Sequence, residues 1–350
     1  MIKYGDEYTC NHGEPWGHCC TASVDDRSRF AQTLLRRSEL ASLPPVKPLI
    51  EGILSLRAAV VLFGPTGAGK TFVALAWACC IGTGLNWLGH PVTRHKVLYV
   101  IGEGANGLDV RISAWEYAWQ MKVTDEDVIF SVKPDSLTDR TVWAEITAEA
   151  IALGVQVVML DTFSSLAPDA DETKDAPTFT RRLSDLAAAI DGTAMAVHHP
   201  GWSDSDRTRG GYQLEANVDE VLKLAGSPAS PLIEVTRKKV KEGPAGERFW
   251  LRRRPVALGH DSDGKPIGSI VIETASSSEA ETPVRDRVLA NLADMDDVGA
   301  TGPQLLAALG MPADKRSTLY KALKGLVDEG SLTKEGSRGR ERYRMVTAHE

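Results

Sequence analysis

Gly64-Pro65-Thr66-Gly67-Ala68-Gly69-Lys70-Thr71 matches the pattern G-x-x-x-x-G-K-[ST] in full. Before it, Ala58-Ala59-Val60-Val61-Leu62-Phe63 is a short apolar run that reads as a buried strand. After it, Phe72-Val73-Ala74-Leu75-Ala76-Trp77-Ala78 reads as a buried helix. A strand, a glycine loop and a helix in that order commit the chain to an α/β fold. They also form a phosphate cradle. The glycines let backbone N–H groups turn inward and the helix N-terminus adds positive potential. Lys70 reaches the β/γ-phosphates and Thr71 can ligate Mg²⁺. The expected ligand is a nucleoside triphosphate, ATP with Mg²⁺, held by all eight residues of the loop.

Strand and helix signals alternate from about residue 46 to 274. Strands are expected at 59–63, 96–101, 128–131, 155–160, 193–197, 218–224, 232–237, 249–253 and 269–272. Helices are expected at 71–81, 107–120, 138–153 and 176–190. This βαβα order predicts a mostly parallel, twisted sheet with helices on both faces. The late strands without intervening helices predict antiparallel additions at one edge. Residues 275–283, small and polar, read as a linker.

Residues 284–346 read as a separate small unit. Val284, Val288, Leu289 and Leu292 mark one helix; Thr301 caps a second that stops at Gly310. A third runs from Asp314 to about Asp328, and two short strands follow at 331–334 and 342–346. Three helices and a hairpin form a winged helix-turn-helix pattern. Lys315, Arg316 and Lys321 lie on the third helix, and Arg338 and Arg340 lie in the wing. These residues suit duplex DNA, with the helix in the major groove and the wing on the backbone. The same fold also docks protein partners.

Residues 1–45 form an N-terminal appendage with helical periodicity over 25–43. Cys10, His12, His18, Cys19 and Cys20 cluster there and admit a Zn²⁺ site through Cys10, His12, Cys19 and Cys20. Their spacing matches no established zinc finger, which favours a tail with incidental thiols. The first residues carry no basic start followed by an apolar core, and no apolar stretch approaches a membrane span. A cytoplasmic protein with reduced cysteines and no membrane partner is expected. The net charge of −7 argues against indiscriminate coating of nucleic acid, while basic clusters at 237–254 and in the last forty residues suit defined surfaces.

Three further strand ends point at the phosphate site, because ligands bind at the carboxyl ends of parallel strands. Val157-Val158-Met159-Leu160-Asp161 has the Walker B form, with Asp161 as a Mg²⁺ ligand. Glu103, between Gly102 and Gly104, is positioned to orient and deprotonate the attacking water. The two flanking glycines favour a close approach of the backbone to nucleotide. His198 and His199 end another strand. One of them can bond the γ-phosphate or the lytic water, and the one that points away is structural.

Taken in order, these residues resemble the RecA-like ATPase family that includes the plasmid RepA hexameric helicases. The resemblance spans roughly Pro48 to Ile272. It rests on Pro48–Leu54, the P-loop, Gly102-Glu103-Gly104 leading to Arg111 and Trp115, and Leu160-Asp161-Thr162. It continues through His198-His199, Arg209-Gly210-Gly211, Asp219 and Lys239–Pro244. It implies ATP hydrolysis at subunit interfaces of a homo-oligomeric ring, a hexamer, with Glu103 as catalytic base. It also implies channel loops at about 163–177, with Lys174, and at 201–211, where Arg207 and Arg209 would contact single-stranded DNA. Lys239 and Lys241 are the trans-acting cations, where related helicases carry a Lys-x-Arg; a lysine supplies charge without a bidentate fork. The implied activity is a DNA helicase or translocase of plasmid- or phage-type replication, with a primase or initiator as partner. A recombination or repair ATPase and an ATP-controlled DNA-binding regulator are the alternatives.

Overall fold

The computed structural model describes residues 34–42, 45, 47–171, 174–199, 212–226, 228, 230–275, 284–293, 299–311, 315–336 and 341–346. The chain separates into two compact units, Met1–Pro45 and Val46–Glu350. In the first, the expected helix is not formed over the described residues. Only Leu40–Ser42 make a 3₁₀ turn, and Leu34 and Leu35 are exposed. The Glu39 carboxylate accepts from the Arg36 backbone N–H at 2.6 Å, a local bond that competes with helical pairing.

The second unit opens with a small antiparallel pair, β1 (Pro48–Ile50) and β2 (Leu54–Ser55), which the apolar pattern did not announce. Then come β3 (Ala59–Phe63), α1 (Lys70–Thr83), β4 (Val97–Ile101), α2 (Leu108–Trp119), β5 (Val128–Val132) and α3 (Arg140–Ala152). They are followed by β6 (Val157–Asp161), the short α4 (Phe163–Leu166), α5 (Ala176–Ala189), β7 (Thr193–His198), α6 (Tyr212–Ala216) and β8 (Glu220–Ala225). The meander β9 (Leu232–Val240), β10 (Arg248–His260) and β11 (Pro266–Ala275) completes a nine-stranded sheet of order β11-β10-β9-β8-β3-β7-β6-β4-β5. From β8 to β5 every neighbour is parallel, and β8 through β11 pair antiparallel, as the strand pattern predicts.

Alternation along the strands divides the interior. Val60, Leu62, Val157 and Met159 face one layer with α1; Val61, Phe63, Val158 and Leu160 face the other with α3 and α5. Helix α1 is apolar on nearly all sides because it lies between the sheet and the curled β10–β11 hairpin. Leu251, Val256, Val271 and Ile272 share its core. Trp77 on α1 packs edge-on against Trp87 at 5.6 Å, and Trp87 against Phe249 of β10 at 6.0 Å. Pro255 is tolerated in β10 because the pairing with β9 covers only Arg248–Arg252 and ends with the Arg253 N–H bond to Pro231 O, before the proline is reached.

The remaining elements are α7 (Val284–Ala293), β12 (Ala300–Thr301), α8 (Gly302–Ala308), α9 (Arg316–Asp328), β13 (Leu332–Glu335) and β14 (Arg342–Met345). Thr301 and Gln304 form a capping box at α8. Strand β12, absent from the expected pattern, joins the hairpin in a sheet of order β12-β14-β13. These elements enclose their own core, with Val288, Leu305, Leu319, Leu323 and Tyr343 buried. They meet the β8–β9 connection at Gly310, where an added Cβ would lie 2.2 Å from Ser230 Cβ. Among the described residues no helix is long and apolar enough to cross a membrane.

Candidate functional site

The P-loop turns from β3 into α1 by backbone conformations open to glycine. Gly67 and Gly69 have φ of 77° and 98°, and Gly69 caps α1 in the left-handed region. Gly64 is required for a different reason: a Cβ there would sit 2.4 Å from the Leu224 carbonyl oxygen on β8. The loop borders a cleft of about 370 Å³ lined by, among others, Thr66, Lys70, Thr71, Glu103, Arg111 and His199.

Lys70 is 6% exposed. Its ammonium donates to the Gly64 and Pro65 carbonyls at 2.7 and 3.1 Å. Burial pulls its pKa down to about 8, against the opposing charges of Asp161 and Glu103. Asp161 ends β6 and is 2% exposed. Burial raises its pKa, while the hydroxyls of Tyr99 and Thr71 and the Lys70 ammonium lower it. Tyr99 donates to Asp161 Oδ2 at 2.7 Å, and Oδ1 is buried without a direct hydrogen-bond partner. A buried carboxylate oxygen left without a donor, beside the Thr71 side chain, fits a divalent cation. The Asp161–Thr162 peptide is cis.

Strand insertion explains why these groups converge. β7 lies between β3 and β6, and β4 lies on the far side of β6, so the P-loop, His199, Asp161 and Glu103 follow consecutive strand ends. Ile101 pairs with Asp161 across β4 and β6, and Gly102 N donates to the Asp161 carbonyl at 2.8 Å. The glycines beside Glu103 are also required by packing and turn geometry. A Cβ on Gly102 would meet Ser165 Oγ at 2.4 Å, and Gly104 adopts φ 72° before a 3₁₀ turn into α2.

The two histidines separate. His198 is 1% exposed and packs edge-on against Phe163 at 5.3 Å, so it faces the core. His199 lines the cleft, its Nδ1 3.4 Å from Lys70 Nζ and 3.5 Å from Thr66 Oγ1. The expected loop at 163–177 is interrupted. Phe163–Leu166 form α4, with Phe163 and Leu166 buried and Ser165 Oγ accepting from Thr162 N at 3.1 Å. Lys174 is exposed and pairs with Asp171 at 3.2 Å.

Lys239 and Lys241 lie at the opposite end of the sheet, where Val240 pairs with Glu220. They therefore do not reach this chain's own P-loop. Lys239 donates to the carbonyls of Glu215, Ala216 and Val218 at 2.7–3.1 Å, capping the end of α6. Burial lowers its pKa. Lys241 pairs with Asp219 at 3.1 Å. Lys315, Arg316 and Lys321 are exposed on and just before α9. Arg207, Arg209, Arg338, Arg340, Cys10, His12, Cys19 and Cys20 lie outside the described residues. Among the described residues no group of three or more His, Cys, Asp or Glu is arranged to hold a metal ion.

Two contributors were not anticipated as site residues. Tyr99 has the signature of a core aromatic, and only the pairing of β4 with β6 brings its hydroxyl to Asp161. Arg253 was one member of a basic run, and the curl of β10 brings it to the P-loop, where it donates to Gly67 O at 2.7 Å.

A family model described as AAA domain matches residues 25–205, more than half of the chain. Among solved structures, the RadB recombinase is similar at 15% identity, covering 63% of this chain and 92% of that one, with a TM-score of 0.44. A KaiC-like protein from the hyperthermophilic archaeon Pyrococcus horikoshii OT3 is similar at 16% identity, covering 65% of this chain and 99% of that one, with a TM-score of 0.46. No curated protein matches the sequence. The family model covers the P-loop, Glu103 and Asp161 of this cleft, and the chain belongs to the AAA domain family.

Proposed function

We propose that this ATPase is a DNA-coupled motor, a ring-forming helicase or translocase of plasmid- or phage-type replication. The observation that carries the reading is the convergence of Lys70, Thr71, Glu103 and His199 on one cleft, with Asp161 buried beside it, at the ends of consecutive parallel strands. Thr71 and Asp161 would hold Mg²⁺, which would supply positive charge against the triphosphate. The P-loop amides and Lys70 orient the triphosphate. Glu103 accepts the proton of the attacking water, and His199 contacts the γ-phosphate side of the site. Residues 46–274 form the motor and 275–283 the linker. Residues 284–346 form a winged helix that presents Lys315, Arg316 and Lys321 to duplex DNA. Lys239 and Lys241, at the end of the sheet away from the P-loop, act in trans on a neighbouring subunit of a hexamer. In that assembly Lys239 must leave the carbonyls it caps. Single-stranded DNA is the track, and a primase or initiator is the replication partner.

Steady-state ATP hydrolysis with and without single-stranded DNA tests this, with Glu103→Gln as the blank. Stimulation of several-fold supports a motor, and an unwinding assay then separates a helicase from a recombination or repair ATPase. Basal turnover without stimulation overturns the motor reading in favour of an ATP-controlled regulator. Undiminished turnover in Glu103→Gln removes Glu103 as the base.

A further inference from the structure

Arg253 lies in β10, far in sequence from the P-loop, yet its guanidinium lies along that loop's backbone. Its terminal nitrogens donate to Gly67 O at 2.7 Å and to Ser230 O at 2.5 Å. A Cβ on Gly69 would come within 3.3 and 3.4 Å of Arg253 Nη2 and Nε. The loop tip is held from a second direction too: a Cβ on Gly67 would lie 2.3 Å from Pro228 Cγ. The backbone N–H of Arg253 donates to Pro231 O at 2.7 Å, so one residue joins β10, the β8–β9 connection and the P-loop.

From this geometry we infer that Arg253 is a positioning residue that holds the P-loop in its nucleotide-binding shape before nucleotide arrives. The inference rests on the nucleotide-site reading above. Glycine loops have many accessible conformations, and an unclamped loop must be ordered by the ligand itself. A guanidinium fork spanning two carbonyls removes that ordering cost in advance. Apparent affinity scales with the fraction of protein already in the competent shape, whereas the occupied site is the same with or without the clamp. The loss of Arg253 therefore falls on binding more than on turnover.

The test uses the full chain and four proteins: wild type, Lys70→Ala, Arg253→Ala and Arg253→Lys. A fluorescent ATP analogue reports Kd, and steady-state ATP hydrolysis reports KM and kcat. For Arg253→Ala, Kd and KM should rise about tenfold while kcat changes less than about threefold, the size expected for losing charged hydrogen bonds that pre-order a site. Arg253→Lys, with one ammonium able to reach only one carbonyl at a time, should fall between. Unchanged Kd and KM in Arg253→Ala overturn the clamp. So does a fall in kcat at constant KM, which signals only a smaller folded fraction; if Arg253→Ala does not fold, Arg253→Lys decides on the same criteria. Wild-type binding that Lys70→Ala abolishes upholds the nucleotide site independently. If wild type binds no nucleotide, that reading fails and the clamp fails with it.

Discussion

Lys70 couples nucleotide affinity to pH in a way the structure quantifies. Its ammonium is buried, and desolvation brings its pKa from an ordinary 10.5 to about 8 despite Asp161 and Glu103 nearby. A triphosphate in the cleft restores the charged form, so binding selects the protonated lysine. Above pH 8 the free protein loses that proton, and apparent affinity falls with it. A pKa of about 8 gives a rise in Kd of roughly tenfold between pH 7 and pH 9. Nucleotide-free stability moves the other way. The unfolded chain keeps the proton up to 10.5 while the folded chain releases it near 8, so the unfolded state binds more protons between those values. Stability therefore rises with pH there, by about 1 kcal/mol from pH 8 to 9 on this account alone. Above pH 9 the buried thiols of Cys79 and Cys80, with raised pKa values, act in the opposite sense and close the window. The assay is a titration with a fluorescent ATP analogue at fixed ionic strength and free Mg²⁺, paired with urea unfolding of the nucleotide-free protein. Lys70→Met should remove the stability slope between pH 8 and 9. A wild-type Kd that stays flat from pH 7 to pH 9, in a protein that needs Lys70 to bind, would refute the reasoning.

Tyr99→Phe takes away the buried donor to Asp161 Oδ2. It should cost about 1–3 kcal/mol in urea unfolding and raise the Mg²⁺ concentration needed for half-maximal turnover. In Gly64→Ala the new methyl meets a backbone oxygen of β8 that no rotamer can move, at 2.4 Å. A loss of about 1–3 kcal/mol, seen as a melting temperature lowered by several degrees, is expected. Removing residues 284–350 should leave basal ATP turnover within about twofold and weaken duplex binding by an order of magnitude or more, through loss of the α9 cations. Unchanged duplex affinity would make those elements a protein-docking module.

Local signals carried much of the fold. Apolar runs of strand length, the glycine loop and the helix stops located eight strands of the large sheet and the long helices of the core to within a few residues, because each pattern reflects burial along one short element; β10 was found at its start but runs to His260, seven residues beyond the expected end, where its alternation is mostly exposed. The P-loop, Asp161 and Glu103 were legible for the same reason: each ends an apolar strand, and ligands gather at the carboxyl ends of parallel strands. Strand order was not legible, since pairing partners are remote in sequence. The alternation of side chains at the end of β7 separates His199 in the cleft from His198 in the core, and strand order brings the Tyr99 hydroxyl to Asp161. The glycines beside Glu103 were visible, but the contact of Gly102 with Ser165 and the left-handed turn at Gly104 were not. Arg253 marks the boundary most clearly. In the sequence it is one cation in a basic strand. The β10–β11 hairpin shares the core of α1 through Leu251, Val256, Val271 and Ile272, and that packing lays Arg253 along the P-loop.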